Sequence, residues 1–424
     1  MRFMTPEERK ELDLKWLAGL QMHGIKLGLE NITELLRKLG NPQRTYPCIH
    51  VAGSDGKGST CEIIASVLEK SGFRVGLYTS PEVLDFRERI AVNGEPISED
   101  EEARLCGRLK HECDDMAESG RQCTFFEVTT AMAMMHFRDE KVDIAVFEVG
   151  MGGRFDATNV VTPLVSVISN ISLEHTEYLG DTIEKIAFEK AGIIKEGVPC
   201  VTINPEPALG VIRKRAEEMH APLTAVDPEK IRVTKSTEKG PEFSYEGKDC
   251  FVSIPGRNEA RNACLALEAL KLLPGYREKI EQHVQEGMAS ARWPCRLERR
   301  GRYIIDVTHT RAGADGLAKD VSEIYGRVVT VFGILKDKDA PDIAADIASF
   351  SSAIVVTQPE GPRARPAEDT WHIVKKVFPA AEMRPTVAEA VARAEEIAGE
   401  DVPILITGSF RMAEAFLRCR KMQL

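Results

Sequence analysis

The sequence predicts a two-domain α/β protein: an N-terminal phosphate-loop domain carrying a small β excursion, then a C-terminal doubly wound domain. Three observations carry that prediction. A strand, a glycine-rich turn and a helix follow one another between Pro47 and Lys70. Apolar strands then alternate with helices, and several of those strands end in polar residues. At Arg292 the pattern restarts and continues to residue 421, which implies a second parallel sheet of about 130 residues. The chain has 424 residues, more than one ordinary domain needs. The expected domains are therefore 1–292 and 293–424.

Bulk composition narrows the class. A net charge of -10 argues against a nucleic-acid groove as the main business. The N-terminal run Met1 to Glu8 has no apolar h-region, and no stretch is long enough to span a bilayer, so a cytoplasmic protein without a membrane partner is expected. The 10 cysteines are scattered singly with no Cys-x-x-Cys pair, the pattern of small buried hydrophobes rather than of zinc ligands or disulfides.

Taken in order, residues 7–22 and the stretch from Ile25 to Leu39 have helical spacing, and Gly40-Asn41-Pro42 stops the second helix. The run His50-Val51-Ala52-Gly53-Ser54-Asp55-Gly56-Lys57-Gly58-Ser59-Thr60 then joins a strand to a helix. Its glycines let successive N–H groups turn inward as an anion cradle, and the N-terminus of the next helix adds positive potential. Lys57 would sit on the outer phosphates of a nucleotide, and Ser59 or Thr60 would reach a Mg²⁺.

Arg74 to Thr79 is the next strand, ending at Ser80, a residue placed to touch ligand or metal or simply to turn the chain. Residues 98–118 read as a charged surface helix and 126–137 as a buried one. Val142 to Val149 is an apolar strand carrying Glu148 to its end, the form of an acid that holds Mg²⁺ opposite phosphates. Leu164 to Ser169 is a further strand, running through Asn170 into His175. Three strands thus aim Ser80, Glu148 and His175 at one edge. A helix over 180–195, a strand over 198–203 and a helix over 205–219 follow, and residues 229–253 form the β excursion. Helices at 258–273 and 275–290 close the first domain.

The second domain opens with a strand pair over 296–306 that ends at Asp306. Strands at 328–332, 353–357 and 403–407 alternate with helices at 312–323, 340–350, 367–377, 387–398 and 410–421, a doubly wound, Rossmann-like pattern.

The ordered motifs resemble one family. They are Gly28-Leu29-Glu30 with Leu39 to Pro42, the Gly53 to Ser59 loop, Leu77 to Pro81, and Glu88-Arg89-Ile90 with Asn93-Gly94. They continue through Glu148 to Asn159, Glu174-His175-Thr176, Glu189 to Lys195, Gly256 with Asn262, Trp293 to Arg296, Asp306 with His309, Phe332-Gly333 with Asp337 to Asp339, and Thr407-Gly408-Ser409. Together they resemble the folylpolyglutamate synthase/dihydrofolate synthase family of the Mur ligase superfamily over nearly the whole chain. The resemblance makes the first domain a Mur ligase central ATPase domain and the second its C-terminal partner.

It implies ATP-dependent amide formation between a carboxylate and the amino group of L-glutamate, through an acyl phosphate. The acceptor would be a folate or folate-like pterin, the cofactors ATP and two Mg²⁺ ions, and the protein a monomer. Lys57 and the amides from Gly53 to Gly58 would hold the triphosphate. Ser80, Glu148 and His175 would hold Mg²⁺. Lys190 matches the lysine that takes up CO₂ as a carbamate and then helps bind the second metal, the alternative being an unmodified lysine on phosphate. Asn262 would contact adenine, Arg296 the phosphates and Asp306 the ribose, with His309 near the nucleotide. ATP would lie between the domains, with closure as part of turnover.

Some positions depart from the family pattern. Ser54-Asp55 replaces Thr-Asn, Glu82 replaces His, Asn258-Glu259 replaces His-Gln, Glu174 replaces Asp, and Asp306-Val307-Thr308-His309-Thr310 replaces Asp-Gly-Ala-His-Asn. These motivate a second reading, a Mur-type amide ligase on another carboxylate such as a modified archaeal pterin, a tetrapyrrole or a cell-wall precursor. A third, an ATP-binding protein without catalysis, is opposed by the presence of Lys57, Glu148, His175 and Lys190.

Overall fold

A computed structural model of the chain describes residues 6–24, 26 and 28–424. Ile25 and Leu27, which belong to the second helical stretch read from sequence, lie outside the described residues, as does the N-terminal run Met1 to Thr5. Two compact units are present. The first comprises the described residues up to 81 with 87–227 and 264–287, and the second 82–86, 228–263 and 288–424.

The first unit is built on an eight-stranded sheet. Its strands are β1 (Cys48–Ala52), β2 (Val75–Tyr78), β3 (Ile90–Val92), β4 (Glu95–Pro96), β5 (Ile144–Glu148), β6 (Val165–Ile168), β7 (Cys200–Thr202) and β8 (Leu223–Ala225). The spatial order is β4-β3-β2-β5-β1-β6-β7-β8. All pairings from β2 to β8 are parallel, and β3 and β4 add an antiparallel hairpin at one edge. Every residue of β1, β2, β5, β6 and β7 is buried, as expected of parallel strands covered on both faces.

Register sets the functional edge. Val51 stands beside Glu148, Ala52 beside Ile168, and Tyr78 beside Phe147. The C-terminal ends of β1, β2, β5 and β6 are therefore level, and β1 lies between β5 and β6, where the strand order reverses. In open α/β sheets that is where ligands bind.

The helix read over 126–137 spans Phe125–Asp139, buried along most of its length and opened by a Thr124/Glu127 capping box. The helix read as a charged surface element spans Glu99–Glu118 and buries one face through Leu105, Cys106, Leu109, Cys113 and Met116. Nine cysteines are buried, and Cys419 is exposed.

In the second unit β9 (Arg232–Thr237), β10 (Gly240–Tyr245) and β11 (Lys248–Phe251) form an antiparallel three-stranded sheet. This is the excursion expected at 229–253. It packs in the second unit, where Glu238 pairs with Arg299 at 2.8 Å and β9 contacts the helix Arg311–Ile324. A six-stranded sheet comprises β12 (Glu298–Arg300), β13 (Tyr303–Ile305), β14 (Val328–Phe332), β15 (Ser351–Val356), β16 (Glu382–Met383) and β17 (Ile404–Thr407), in the order β12-β13-β17-β14-β15-β16. Only β12 is antiparallel.

Helices cover both faces of that sheet. Val391, Ala394, Met412 and Phe416 pack on one side with Val331 and Ile406, while Leu317, Val321, Ile343 and Ile347 pack on the other with Phe332 and Leu405. Val83, from the short segment 82–86, is buried in the first of these cores. Among the described residues no helix is long and apolar enough to cross a membrane.

Candidate active site

Beyond β1 the chain turns at Gly53, whose φ is +152° and where a Cβ would stand 1.8 Å from Ser169 Oγ, so no side chain fits. Gly56, at φ +81°, caps the helix Lys57–Lys70. The first hydrogen bond closing that turn runs from Thr60 N–H to the Gly56 carbonyl at 3.0 Å. The first N–H groups of an α-helix find no carbonyl within the helix, the arrangement that favours an anion at its N-terminus. Of the two hydroxyls read as Mg²⁺ donors, Thr60 donates to the Gly56 carbonyl at 2.7 Å, and Ser59 is buried.

Lys57 donates to the Ser54 carbonyl at 3.1 Å. Burial works against its charge, but the carboxylates of Glu174, Glu148 and Asp55 prevail and hold it above the usual lysine range. Lys190 is 1 % exposed, and its Nζ lies 2.7 Å from both the Gly53 carbonyl and Glu174 Oε1. Burial, aided by the charge of Lys57 and opposed by Glu174, sets Lys190 below the usual range. Glu174 is driven the other way: burial penalises its charge, yet Lys190 and Lys57 pull it down to about 2.

Glu148 is 4 % exposed, and its Oε2 accepts the Ser80 backbone N–H at 2.9 Å. Burial raises it to about 7, against the opposing charges of Lys57 and Arg89. His175 opens the short helix Thr176–Leu179 with φ +46°, and its Nε2 stands 4.0 Å from Glu174 Oε2. The structure thus brings Lys57, Glu148 and Ser80 together, and Lys190, Glu174 and His175 together, on one sheet edge. Among the described residues no three His, Cys, Asp or Glu side chains converge as a metal cage.

Behind this edge lies a buried relay that sequence reasoning missed. His50 Nε2 is 2.8 Å from Thr158 Oγ1, which donates to Asp156 Oδ1 at 2.5 Å. Asp156 also accepts the N–H groups of Met151 at 3.0 Å and Thr158 at 2.9 Å. Since Thr158 gives its proton to the carboxylate, His50 must donate through Nε2, and burial keeps the ring neutral with its pKa lowered to about 3. Asp-x-Thr, a side-chain turn signal, was the available clue.

In the second unit Asp306 is 1 % exposed and accepts the N–H groups of Leu297 at 3.1 Å and Thr308 at 2.7 Å. Arg296 lies 3.9 Å from both Asp306 and Glu259, and Glu259 accepts from Asn262 Nδ2 at 2.9 Å. Asn262, Arg296 and Asp306 are therefore neighbours, joined by Glu259, whose part was not foreseen. His309 Nδ1 is 2.9 Å from the Val307 carbonyl, and its ring meets Phe410 edge-on at 6.0 Å.

Residues 51–270 match the model of the Mur ligase middle domain, and residues 292–410 that of the Mur ligase glutamate ligase domain. The chain is 38% identical over 375 residues to the dihydrofolate synthase/folylpolyglutamate synthase of Bacillus subtilis, covering 84% of this chain and 86% of the relative. It is similar to the solved Mycobacterium tuberculosis folylpolyglutamate synthase complexed with ADP and AMPPCP, at TM-score 0.87 and 31% identity, covering 96% and 98% of the two chains. A solved bifunctional folylpolyglutamate synthase/dihydrofolate synthase with Mn, AMPPNP and L-glutamate bound is similar at TM-score 0.83 and 28% identity, covering 97% and 98%. The chain belongs to the folylpolyglutamate synthase/dihydrofolate synthase family of Mur ligases.

Proposed function

We propose that this chain is an ATP-dependent ligase that joins L-glutamate, through an amide bond, to a folate or folate-like pterin. The observation that carries this reading is the charge cluster at one sheet edge: Lys57 on the phosphate loop, Glu148 at the end of β5, and the Glu174–Lys190 pair anchored on the Gly53 carbonyl. The nucleotide and L-glutamate bound by solved relatives support it.

A free carboxylate is a poor acyl donor. Transfer of the ATP γ-phosphoryl group to the acceptor carboxylate makes an acyl phosphate. The glutamate amine then attacks its carbonyl carbon, loses a proton, and phosphate leaves. The chain's work is alignment and neutralisation of charge. The loop amides and Lys57 hold the phosphates, and Lys57 is charged because three carboxylates face it. Asn262, Arg296, Asp306 and His309 are assigned to the nucleotide.

The donor set fits a divalent cation. Glu148 is buried with its pKa raised to about 7, and a cation would favour its ionised form. Ser80, Glu148 and His175 would hold the ion, which supplies charge neutralisation on the transferring group. Burial, which holds Lys190 below the usual lysine range, favours loss of its ammonium proton; the amine so formed would add CO₂ and release a second proton to become a carbamate. A carbon-13 carbonyl resonance appearing in labelled bicarbonate, and absent from Lys190→Ala, is the expected signature.

The decisive experiment is phosphate release from MgATP with L-glutamate and each of dihydropteroate, tetrahydrofolate and a methanopterin-type pterin, with products read by mass. Release that depends on a pterin and adds a glutamyl group is expected, and Lys57→Ala should abolish it. Dependence on dihydropteroate marks dihydrofolate synthase activity; dependence on an already glutamylated pterin marks chain extension. No release with any pterin, while nucleotide still binds, would overturn the proposal.

A further inference from the structure

Asp55 places a carboxylate inside a loop assigned to phosphate, where it should repel the ligand. Its surroundings account for it. Asp55 Oδ2 accepts the Ser172 hydroxyl at 2.9 Å and the Asn170 side-chain amide at 3.4 Å. The Asp55 carbonyl accepts the Ser169 hydroxyl at 2.8 Å. One residue earlier, Ser54 Oγ donates to the Ser172 carbonyl at 3.1 Å and accepts the Ser172 N–H at 3.0 Å, while the Ser54 N–H donates to the Asn170 carbonyl at 2.7 Å. Asp55 and Asn170 pair as an isolated antiparallel bridge.

Segment 169–172 leads, two residues on, into Glu174 and His175. Glu174 returns to the loop through Lys190, which donates to the Gly53 carbonyl. The loop and the segment beyond β6 therefore form a closed frame, joined at Gly53 by Lys190 and at Ser54 and Asp55 by Ser172 and its neighbours.

We infer that Asp55 is a positioning residue: its carboxylate, bonded to Ser172, locks the phosphate loop to the segment that carries Glu174 and His175. Glu174 and His175 act at the site, so a loop free to move against them would lose register with both. An ionised carboxylate only accepts hydrogen bonds and can take Ser172 O–H and Asn170 N–H together. Those bonds commit Oδ2 to the frame, which is how an acid is accommodated beside bound phosphate. The inference builds on the proposed nucleotide site, and its test is chosen to stand apart from ligase turnover.

Binding of MgAMPPNP to the full chain is measured by calorimetry for wild type, Asp55→Ala, Asp55→Asn, Ser172→Ala and Asp55→Ala/Ser172→Ala. Each alanine variant should weaken binding about tenfold, the size of one charge-assisted hydrogen bond, and the double variant should be no worse than the weaker single one because both remove the same link. Asp55→Asn, whose amide oxygen still accepts from Ser172, should bind within about twofold of wild type. In turnover, the alanine variants should raise KM for ATP more than KM for the pterin. Unchanged binding in Asp55→Ala, multiplying effects in the double variant, or Asp55→Asn as weak as Asp55→Ala would each overturn the inference. A wild-type chain that binds MgAMPPNP but ligates no pterin would count against the proposed function and leave this test intact.

Discussion

Glu174 and Lys190, 16 residues apart in the chain, form an ion pair at 2.7 Å with only 10% and 1% of their side chains exposed. A buried pair is costly to break from one side, because the remaining charge is stranded. Lys190→Met should lower unfolding stability by about 3–5 kcal/mol. Adding Glu174→Leu should recover part of that loss. Urea denaturation of the single and double variants measures both, and a double variant no more stable than Lys190→Met would show that stranded charge is not the cause.

Glu148→Gln keeps an oxygen for the Ser80 N–H and removes a charge that burial disfavours. The melting temperature should hold or rise. Turnover should fall by about 100-fold or more, the scale of losing one electrostatic group at a reacting centre. Thermal melting and steady-state kinetics on one preparation give both numbers; a fall in both would make Glu148 a structural residue.

Arg296 and Asp306 should separate cleanly. Asp306→Ala strands two buried N–H groups, those of Leu297 and Thr308, and should cost about 2–4 kcal/mol. Arg296, partly exposed and 3.9 Å from its acids, should change stability by under about 1 kcal/mol when replaced by Ala. Its loss should instead raise KM for ATP about tenfold. Equal stability losses in the two variants would contradict this division.

Asp320 supplies a pH test away from the metal ligands. It is 6% exposed and accepts the Arg257 N–H at 2.8 Å. Burial raises it to about 6, with Glu259, Asp306 and Glu323 adding to the rise and the Arg257 N–H opposing it. A carboxyl whose folded pKa is raised holds its proton longer in the native state. Its contribution is fully present below the unfolded value near 3.8 and is lost as pH climbs to about 6. Between those values the wild type should lose on the order of 2 kcal/mol relative to Asp320→Asn. Urea denaturation across that range reads the difference, and parallel curves would refute it.

The sequence made the phosphate loop legible because glycines at 53 and 56 occupy positive-φ positions that few other residues tolerate. Glu148 was legible because a charge ends an apolar run. The β3–β4 hairpin was passed over although Asn93 and Gly94, both at positive φ, carry a two-residue turn signal. β8 was missed because its 3 residues are partly exposed and lack a buried apolar pattern. The Glu174–Lys190 pair and the 169–172 frame depend on segments that meet only when the sheet forms, so spacing along the chain does not report them.

The passage of residues 82–86 into the second unit has a consequence for how the protein is made. Val83 sits in the core formed by Val331, Ile406, Met412 and Phe416, and the Leu84 carbonyl accepts from Arg418 at 3.0 Å. These partners all follow Val83 in the chain and so leave the ribosome after it. In the nascent chain this short strap therefore lacks its native core partners until the helix Phe410–Cys419 is synthesised. A gene fragment starting at residue 292 would encode this core without Val83 and leave its place there unfilled.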